Sequence, residues 1–311
     1  MTGDQALWQV ENQQSVNYGC YMKPDQTPSP CHSKDKVMSL LTVDQEKCER
    51  DGICAEVCPV GIIEFKDKNA FPSIVDGGDK LCIRCGHCVA VCPYAAMSHA
   101  IMKPEECQLI NEDWLFSPEQ VEHFLRYRRS IRNYKNKQVE QGILTKLIDV
   151  AKFAPSGHNF QPVKWLVIHE KDEVQRMAQF VIDWMRYLIK EDSPLVAAMH
   201  LNRVVSFWER GNDPICRNAP HVIVAYAHKE DRTALAACTI ALTYLELAAS
   251  SFDLGACWAG YFNAAATSWP PMQQELRLPE GNVNFGAMMV GYPKFKYQRL
   301  PLRNDAEITW R

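Results

Sequence analysis

From Ser117 onward the chain switches between two hydrophobic periods. SPEQVEHFLRYRRS reads as a helix, with Ser117 as candidate N-cap, Pro118 at the first helical position and an acidic first turn. QGILTKLIDVAKFA repeats the helical spacing. VKWLVIH then predicts a strand, followed by a long polar–apolar helical stretch to about Arg210. HVIVAYA predicts a second strand, ALAACTIALTYLELAASS a helix that is small or apolar around most of its circumference, and NFGAMMVGY a third strand. Interleaved helices and apolar strands predict an α+β domain over residues 117–311.

The chain before Ser117 has a different texture. Residues 1–37 are rich in Gln, Asn, Pro and Ser with no period, which predicts a disordered extension. Met38 opens MSLLTVDQEKC and is an alternative start; Cys20, Cys31 and His32 lack metal-site spacing. Residues 38–104 are Cys-rich and punctuated by Gly and Pro, with too little apolar surface for a core of their own, so a metal staple is expected. Residues 105–116 read as a linker.

Composition changes this picture at one point. With 47% hydrophobic and 23% charged residues and a formal net charge of -3, the 311-residue chain gives no reason to expect nucleic acid or an anionic membrane as a partner. No apolar run reaches the ~18 residues of a membrane span, and MTGDQALWQVENQQ lacks the basic start and apolar centre of a secretory signal. Cysteine is the outlier, at 13 residues, seven of them between Cys48 and Cys92. Their spacing points to metal ligation in a reducing, cytoplasmic compartment rather than to disulfides.

Cys82-Ile-Arg-Cys85-Gly-His-Cys88-Val-Ala-Val-Cys92-Pro93 is the full C-x2-C-x2-C-x3-C-P pattern of bacterial two-cluster ferredoxins, in which three thiolates hold one cluster and the fourth Cys ligates the other. Cys48-Glu-Arg-Asp51-Gly-Ile-Cys54-Ala-Glu-Val-Cys58-Pro59 repeats the spacing with Asp51 in place of the second Cys. The ferredoxin rule then implies two iron–sulfur sites: Cys82, Cys85, Cys88 and Cys58, all thiolates, and Cys48, Cys54 and Cys92 with Asp51 facing the fourth iron. A carboxylate is the harder ligand, so that iron should exchange more readily. The site resembles the Asp-ligated clusters of some archaeal ferredoxins and is read as a [4Fe-4S] that converts to [3Fe-4S]; the alternative is a surface Asp51 beside a permanent three-iron cluster.

Three further stretches carry a second resemblance. They are Arg128-Arg129-Ser130-Ile131-Arg132, then Ala154-Pro155-Ser156-Gly157-His158-Asn159-Phe160-Gln161-Pro162, and last Leu254-Gly255-Ala256-Cys257-Trp258-Ala259-Gly260 followed by Gly291-Tyr292-Pro293 and Arg299-Leu300-Pro301-Leu302-Arg303. In this order over about 190 residues they resemble the nitroreductase family of FMN enzymes. The resemblance implies an α+β homodimer with FMN at the interface, ALAACTIALTYLELAASS being a dimer helix. Arg128 and Ser130 at the end of the first helix, beside Arg129, with Arg299 or Arg303 from a C-terminal strand, would bind the flavin phosphate, for which guanidinium forks are suited. It also implies Arg132 at the pyrimidine edge, Asn159 and the backbone of Pro155, Ser156 and Gly157 on the isoalloxazine from the other subunit, and Trp258, Ala259 and Gly260 facing the reactive edge. Arg217 and Asn212 match only loosely. Cys238 and Cys257 read as core, and Cys107 as inert.

There is no G-x-G-x-x-G, no P-loop and no H-E-x-x-H. No residue presents itself as a proton donor. Together the two halves imply an oxidoreductase passing electrons from ferredoxin or another low-potential donor through the clusters to FMN and on to a nitroaromatic, quinone or activated alkene. Two alternatives stay open: an electron-transfer module with a protein acceptor, and an NAD(P)H-dependent nitroreductase with an accessory cluster domain.

Overall fold

The structure, a computed structural model, describes residues 39–311; the expected disordered extension, with Cys20, Cys31 and His32, lies outside them. The chain divides into two compact units between Leu109 and Ile110, a point inside the stretch read as a linker.

The first unit is built from two copies of one small motif. β1 (Leu41–Val43), α1 (Ile53–Glu56), β2 (Ile63–Glu64), β3 (Ser73–Ile74), α2 (His87–Ala90) and β4 (Met97–His99) follow in order. β1 pairs antiparallel with β4, and β2 with β3. A buried hydrophobic cluster here comprises Cys54, Ile62, Ile63, Val89 and Met97, with Cys58, Cys82, Cys88 and Cys92 half-buried against it. The thiols thus stand where a larger domain would place aliphatic side chains.

The second unit is a three-layer α+β fold. Its elements are α3 (Pro118–Tyr127), α4 (Gln141–Ala151), β5 (Lys164–Ile168), α5 (Lys171–Lys190), α6 (Leu195–Ala198), α7 (Leu201–Glu209), β6 (His221–His228), α8 (Ala234–Ala249), β7 (Gly255–Trp258), α9 (Gly260–Ser268), α10 (Pro270–Glu275) and β8 (Asn282–Gly291). The strands form one antiparallel sheet in the order β5-β6-β8-β7. Successive strand side chains point to opposite faces, and here both faces are covered. Val222, Val224, Cys257, Ala287 and Met289 pack with α5, α7 and α9. Ile223, Ala225, Ala256, Met288 and Val290 pack with α4 and α8. Double burial explains why HVIVAYA is continuously apolar instead of alternating.

Several expectations need correction. The long helical stretch before Arg210 is three helices, α5 to α7, broken at Asp192 to Pro194 and again at His200, where Asp192 and His200 take positive φ; Pro194 cannot continue a helix that would need its N–H. The first helix ends at Tyr127, so Arg128 to Arg132 are not helical; Ser117 does cap it, exchanging hydrogen bonds with Gln120. Residues 299–311 form no strand and are exposed apart from Leu300. β7 had read only as a motif. Ala234–Phe252 is long and apolar enough to cross a membrane, against the expectation that nothing is. Yet Ala237, Cys238, Ala241, Leu242, Leu245 and Ala249 are buried against α4 and the sheet, as befits a central core helix.

Candidate functional site

In the first unit the two cysteine runs superpose in conformation at a constant offset of 34 residues, Cys48 to Cys82 and Asp51 to Cys85. Arg50, Gly52 and Gly61 take φ of 57°, 80° and 62°; their counterparts Arg84, Gly86 and Ala95 take 53°, 75° and 51°. Left-handed backbone costs energy for residues other than Gly, so three non-glycines held there indicate loops shaped for something other than their own stability. Asp51 therefore occupies the backbone place of a ligand Cys. Its Oδ1 accepts the Ile53 N–H at 3.2 Å.

Cys48, Asp51, Cys54 and Cys92 line one cavity, together with Val43, Phe65 and Tyr94. Cys58 is not in its lining. The structure thus brings together one of the two sets that the ferredoxin resemblance implies. Burial pushes the Cys54 thiol above its ordinary value, with Asp51, Cys48 and Cys92 adding to the effect. Burial, then the neighbouring Cys85 and Cys82, pushes the Cys88 thiol up to about 11. Raised thiols favour the protonated state until a cation displaces the proton, so loading would release protons. Among the described residues no three His, Cys, Asp or Glu side chains converge on one point as a single ion requires; the cysteines ring a space, as a polynuclear cluster needs. Cys107 donates to the Lys103 carbonyl at 3.4 Å.

In the second unit the first and third motifs meet. Ile131 N–H donates to the Ala256 carbonyl at 3.0 Å, so Arg128 to Arg132 run as an added edge beside β7. A Cβ on Gly255 would lie 2.4 Å from Ile131 Cγ1, so only glycine permits this approach. Arg128 Nη1 donates to Glu246 Oε1 of α8 at 2.9 Å and to Ser130 Oγ at 3.4 Å, and the Glu246 side chain is only 6% exposed. Arg129 Nη1 is tied to the Arg128 carbonyl, while its buried Nε has no partner. Exposed Arg132 and half-buried Ser130 flank Cys257: burial raises that thiol, and Arg132 and Ser130 draw it back down. Cys257 is itself buried, as is Cys238. Trp258 is half-buried, Ala259 buried, and Gly260 exposed at the start of α9.

The second motif lies elsewhere. Gly157–Asn159 form a single turn before β5, with His158, Asn159 and Gln161 at φ of 50°, 55° and 48°. Ser156 Oγ accepts the Gln161 N–H at 2.9 Å, Asn159 Oδ1 accepts from Gln161 Nε2 at 3.1 Å, and Pro155 is exposed. A Cβ on Gly157 would meet Thr233 Cγ2 at 2.9 Å, at the start of α8. Arg128 contacts Glu246, thirteen residues farther along that helix, which is about 20 Å at 1.5 Å per residue. β5 and β7 are also opposite edges of the sheet. Within one protomer, then, the structure does not bring the second motif to the other two. Arg299 and Arg303 are exposed beyond β8 and reach neither.

Sequence reasoning missed two features. Glu246 holds Arg128, but a lone acid inside a small-residue helix gives no local signal of its partner. Arg217 and Asn218, at φ of 58° and 55°, form a strained turn held by the buried Asp213, which accepts from the Ile215, Cys216 and Asn218 N–H groups.

Residues 125–292 match the Nitroreductase family, and residues 47–96 match a 4Fe-4S dicluster domain. A Methanothermobacter thermautotrophicus protein whose name couples NADH dehydrogenase with NAD(P)H nitroreductase is 22% identical over 173 residues, 54% of this chain and 75% of that protein. Ferredoxin 7Fe of Hydrogenibacillus schlegelii is 40% identical over 57 residues, 18% of this chain and 67% of that one. Among solved structures, a nitroreductase with bound FMN from Desulfitobacterium hafniense is 25% identical with a TM-score of 0.51, covering 63% of this chain and 99% of that one.

Proposed function

The chain belongs to the nitroreductase family, as an oxidoreductase with an N-terminal 4Fe-4S ferredoxin domain, and we propose that it takes electrons from ferredoxin or an equivalent low-potential donor and delivers them through its clusters and FMN to a nitroaromatic, quinone or activated alkene. The observation that carries this reading is the presence in one chain of a cavity lined by Cys48, Asp51, Cys54 and Cys92 and of a segment bearing Arg128, Arg129 and Arg132 beside β7. When bound, the clusters supply one-electron and FMN two-electron chemistry; the protein's part is to bind, orient and tune.

Cys58, Cys82, Cys85 and Cys88 would hold one cluster, and Cys48, Cys54 and Cys92, together with Asp51, would hold the other. Arg128 offers the flavin phosphate its Nη2 and Nε donors while Nη1 stays anchored on Glu246 and Ser130. Arg129 contributes its unpaired Nε, and Arg132 places a cation beside the ring. The cradle is completed by Trp258, Ala259 and Gly260 from the same protomer and by Pro155, Ser156, Gly157 and Asn159 from a second copy, since about 20 Å separates the two sets within one. Leu235 and Tyr244 on α8 and Val121, Leu125 and Tyr127 at α3 are exposed apolar side chains that such a homodimer would cover. Arg299 or Arg303 could reach a phosphate only from the exposed tail. Eleven free cysteines among the described residues fit a cytoplasmic, reducing setting.

Anaerobic absorption titration tests the route. Reduced ferredoxin should bleach both cluster and flavin bands, with little response to NADH or NADPH. Flavin bleaching by nucleotide with oxidised clusters would favour the second reading, an NAD(P)H nitroreductase with an accessory cluster domain, which the name of the archaeal relative supports. Eight irons per chain after anaerobic purification would fit Asp51 ligation of a [4Fe-4S]; seven would make the Asp51 site a three-iron one, as the name of the Hydrogenibacillus ferredoxin suggests for that protein.

A further inference from the structure

The two halves of the first unit repeat each other in backbone, yet besides the exchange of Asp51 for Cys85 a buried polar side chain, His99, breaks the repeat. His99 ends β4 opposite Leu41 and is 4% exposed. Its Nδ1 accepts the Ile101 N–H at 3.2 Å, which places the proton of the neutral ring on Nε2. Nε2 lies 3.6 Å from Cys82 Sγ, within reach of an N–H···S hydrogen bond.

The counterpart position supplies the contrast. His99 stands seven residues after Cys92; Phe65 stands seven after Cys58 and lines the cavity of Cys48, Asp51, Cys54 and Cys92. One site therefore has a buried donor where the other has a hydrocarbon ring. A hydrogen bond to a ligand sulfur stabilises the more electron-rich, reduced cluster and raises its potential.

We propose that His99 is a positioning and tuning residue that donates its Nε2 proton in a hydrogen bond to Cys82 Sγ, raising the reduction potential of the cluster held by Cys82 and making the two repeated sites unequal. The inference rests on the reading that Cys82 is a cluster ligand. One electron leaves the donor protein and enters that cluster; His99 keeps its proton and only shares it.

The test is redox-poised EPR on the full chain, purified anaerobically. At the potential that half-reduces the Cys82 site in the native protein, His99→Phe, which makes the repeats alike, should lower the reduced-to-oxidised ratio by about three- to tenfold, tenfold being ~59 mV for one electron. His99→Gln, which keeps an N–H donor, should recover part of the loss, and the Asp51 site should not move in either variant. An unchanged ratio in His99→Phe with full iron and sulfide overturns the assignment. If that variant loses its cluster, native protein labelled with 15N-histidine decides: pulsed EPR should show weak imidazole coupling to the reduced cluster, and its absence overturns the assignment. Native protein lacking two cluster signals would overturn the cluster reading itself, and this inference with it.

Discussion

The two units solve the problem of stability in opposite ways. The flavin unit has buried hydrophobic clusters of 25 and 16 residues on the two faces of one sheet. Among its described residues the iron–sulfur unit has one such cluster, of five, one of them Cys54, with other thiols filling in around it. Its strands are two or three residues long, and its helices four. At roughly 2 kcal/mol per fully buried aliphatic side chain, five such residues cannot offset the ordering of some seventy residues at 1–2 kcal/mol each. On this arithmetic the second unit carries a core of its own, whereas the first should need bound clusters to fold.

The largest expected effect separates them directly. Anaerobic removal of iron from the full chain should abolish the structure of residues 39–109 while leaving the melting transition of the flavin unit within a few degrees of its starting value. Limited proteolysis before and after chelation would read this: rapid cleavage between Cys48 and Cys107, with a protected fragment starting near Ser117. Equal protection of both units in the iron-free protein would break the contrast.

Inside the flavin unit the sharpest electrostatic commitment is the Arg128–Glu246 pair, with Glu246 almost wholly buried. Arg128→Ala leaves that carboxylate without its counter-charge and should cost about 3 kcal/mol, the lower end for breaking a buried pair because Arg128 is partly exposed. The double variant Arg128→Ala, Glu246→Ala removes both charges and should regain most of that stability, measured by urea denaturation. It should not regain FMN affinity, measured by flavin fluorescence, because the phosphate donors are gone. Recovery of both together would make the pair purely structural and remove Arg128 from the flavin site.

How much of this could be read in advance followed the length scale of each interaction. The cysteine spacings are local, and with the ferredoxin resemblance they grouped Cys48, Asp51, Cys54 and Cys92, which line one cavity. β5, β6 and β8 stood out because burial on both faces makes continuous apolar runs. β7 did not, since four residues beginning Gly-Ala are too short and too small for a periodic signal. The same motif concealed a geometric constraint, because Gly255 is glycine to admit Ile131 from a segment more than a hundred residues away. Arg128–Glu246 is similarly distant, and the placement of Arg299 and Arg303 in a C-terminal strand fails because residues 299–311 form no strand.

Gly255→Ala tests that close approach at a smaller scale. The added methyl would overlap Ile131 Cβ and Cγ1 at 2.7 and 2.4 Å, and overpacking of this kind costs about 1–3 kcal/mol. Since Ile131 lies between Ser130 and Arg132, FMN affinity should fall as well. Adding Ile131→Ala should restore much of both, by thermal melting and flavin titration; a Gly255→Ala protein that binds FMN normally would show that the segment can shift freely.

The smallest effect concerns His169 and His221, whose rings stack at 4.5 Å between centroids. Fully buried His221 accepts the Val139 N–H at Nε2, 2.8 Å, and contacts the His169 carbonyl through Nδ1 at 2.7 Å. Both nitrogens are engaged by the neutral ring, and burial holds His221 below its ordinary value despite the contribution of the His169 carbonyl. His169 moves the opposite way: its bond to Glu170, then that to the Val139 carbonyl, raises it. The signs therefore oppose. The unfolded chain takes up a proton at His221 near pH 6.5 that the folded protein refuses, so this stabilising contribution is full above about 6.5 and is lost as pH falls through the lower folded value. The contribution of His169 is full below about 6.5 and is lost as pH rises through its raised folded value. Glu170 is largely exposed, so salt screens that second contribution and leaves the first. In high salt between pH 7.5 and 5.5, the native protein should lose stability relative to a His221→Phe variant, with a slope no steeper than about 1.4 kcal/mol per pH unit for one proton. Parallel profiles would mean that the ring can take a proton in place of the Val139 bond, and that the stack is no more than packing.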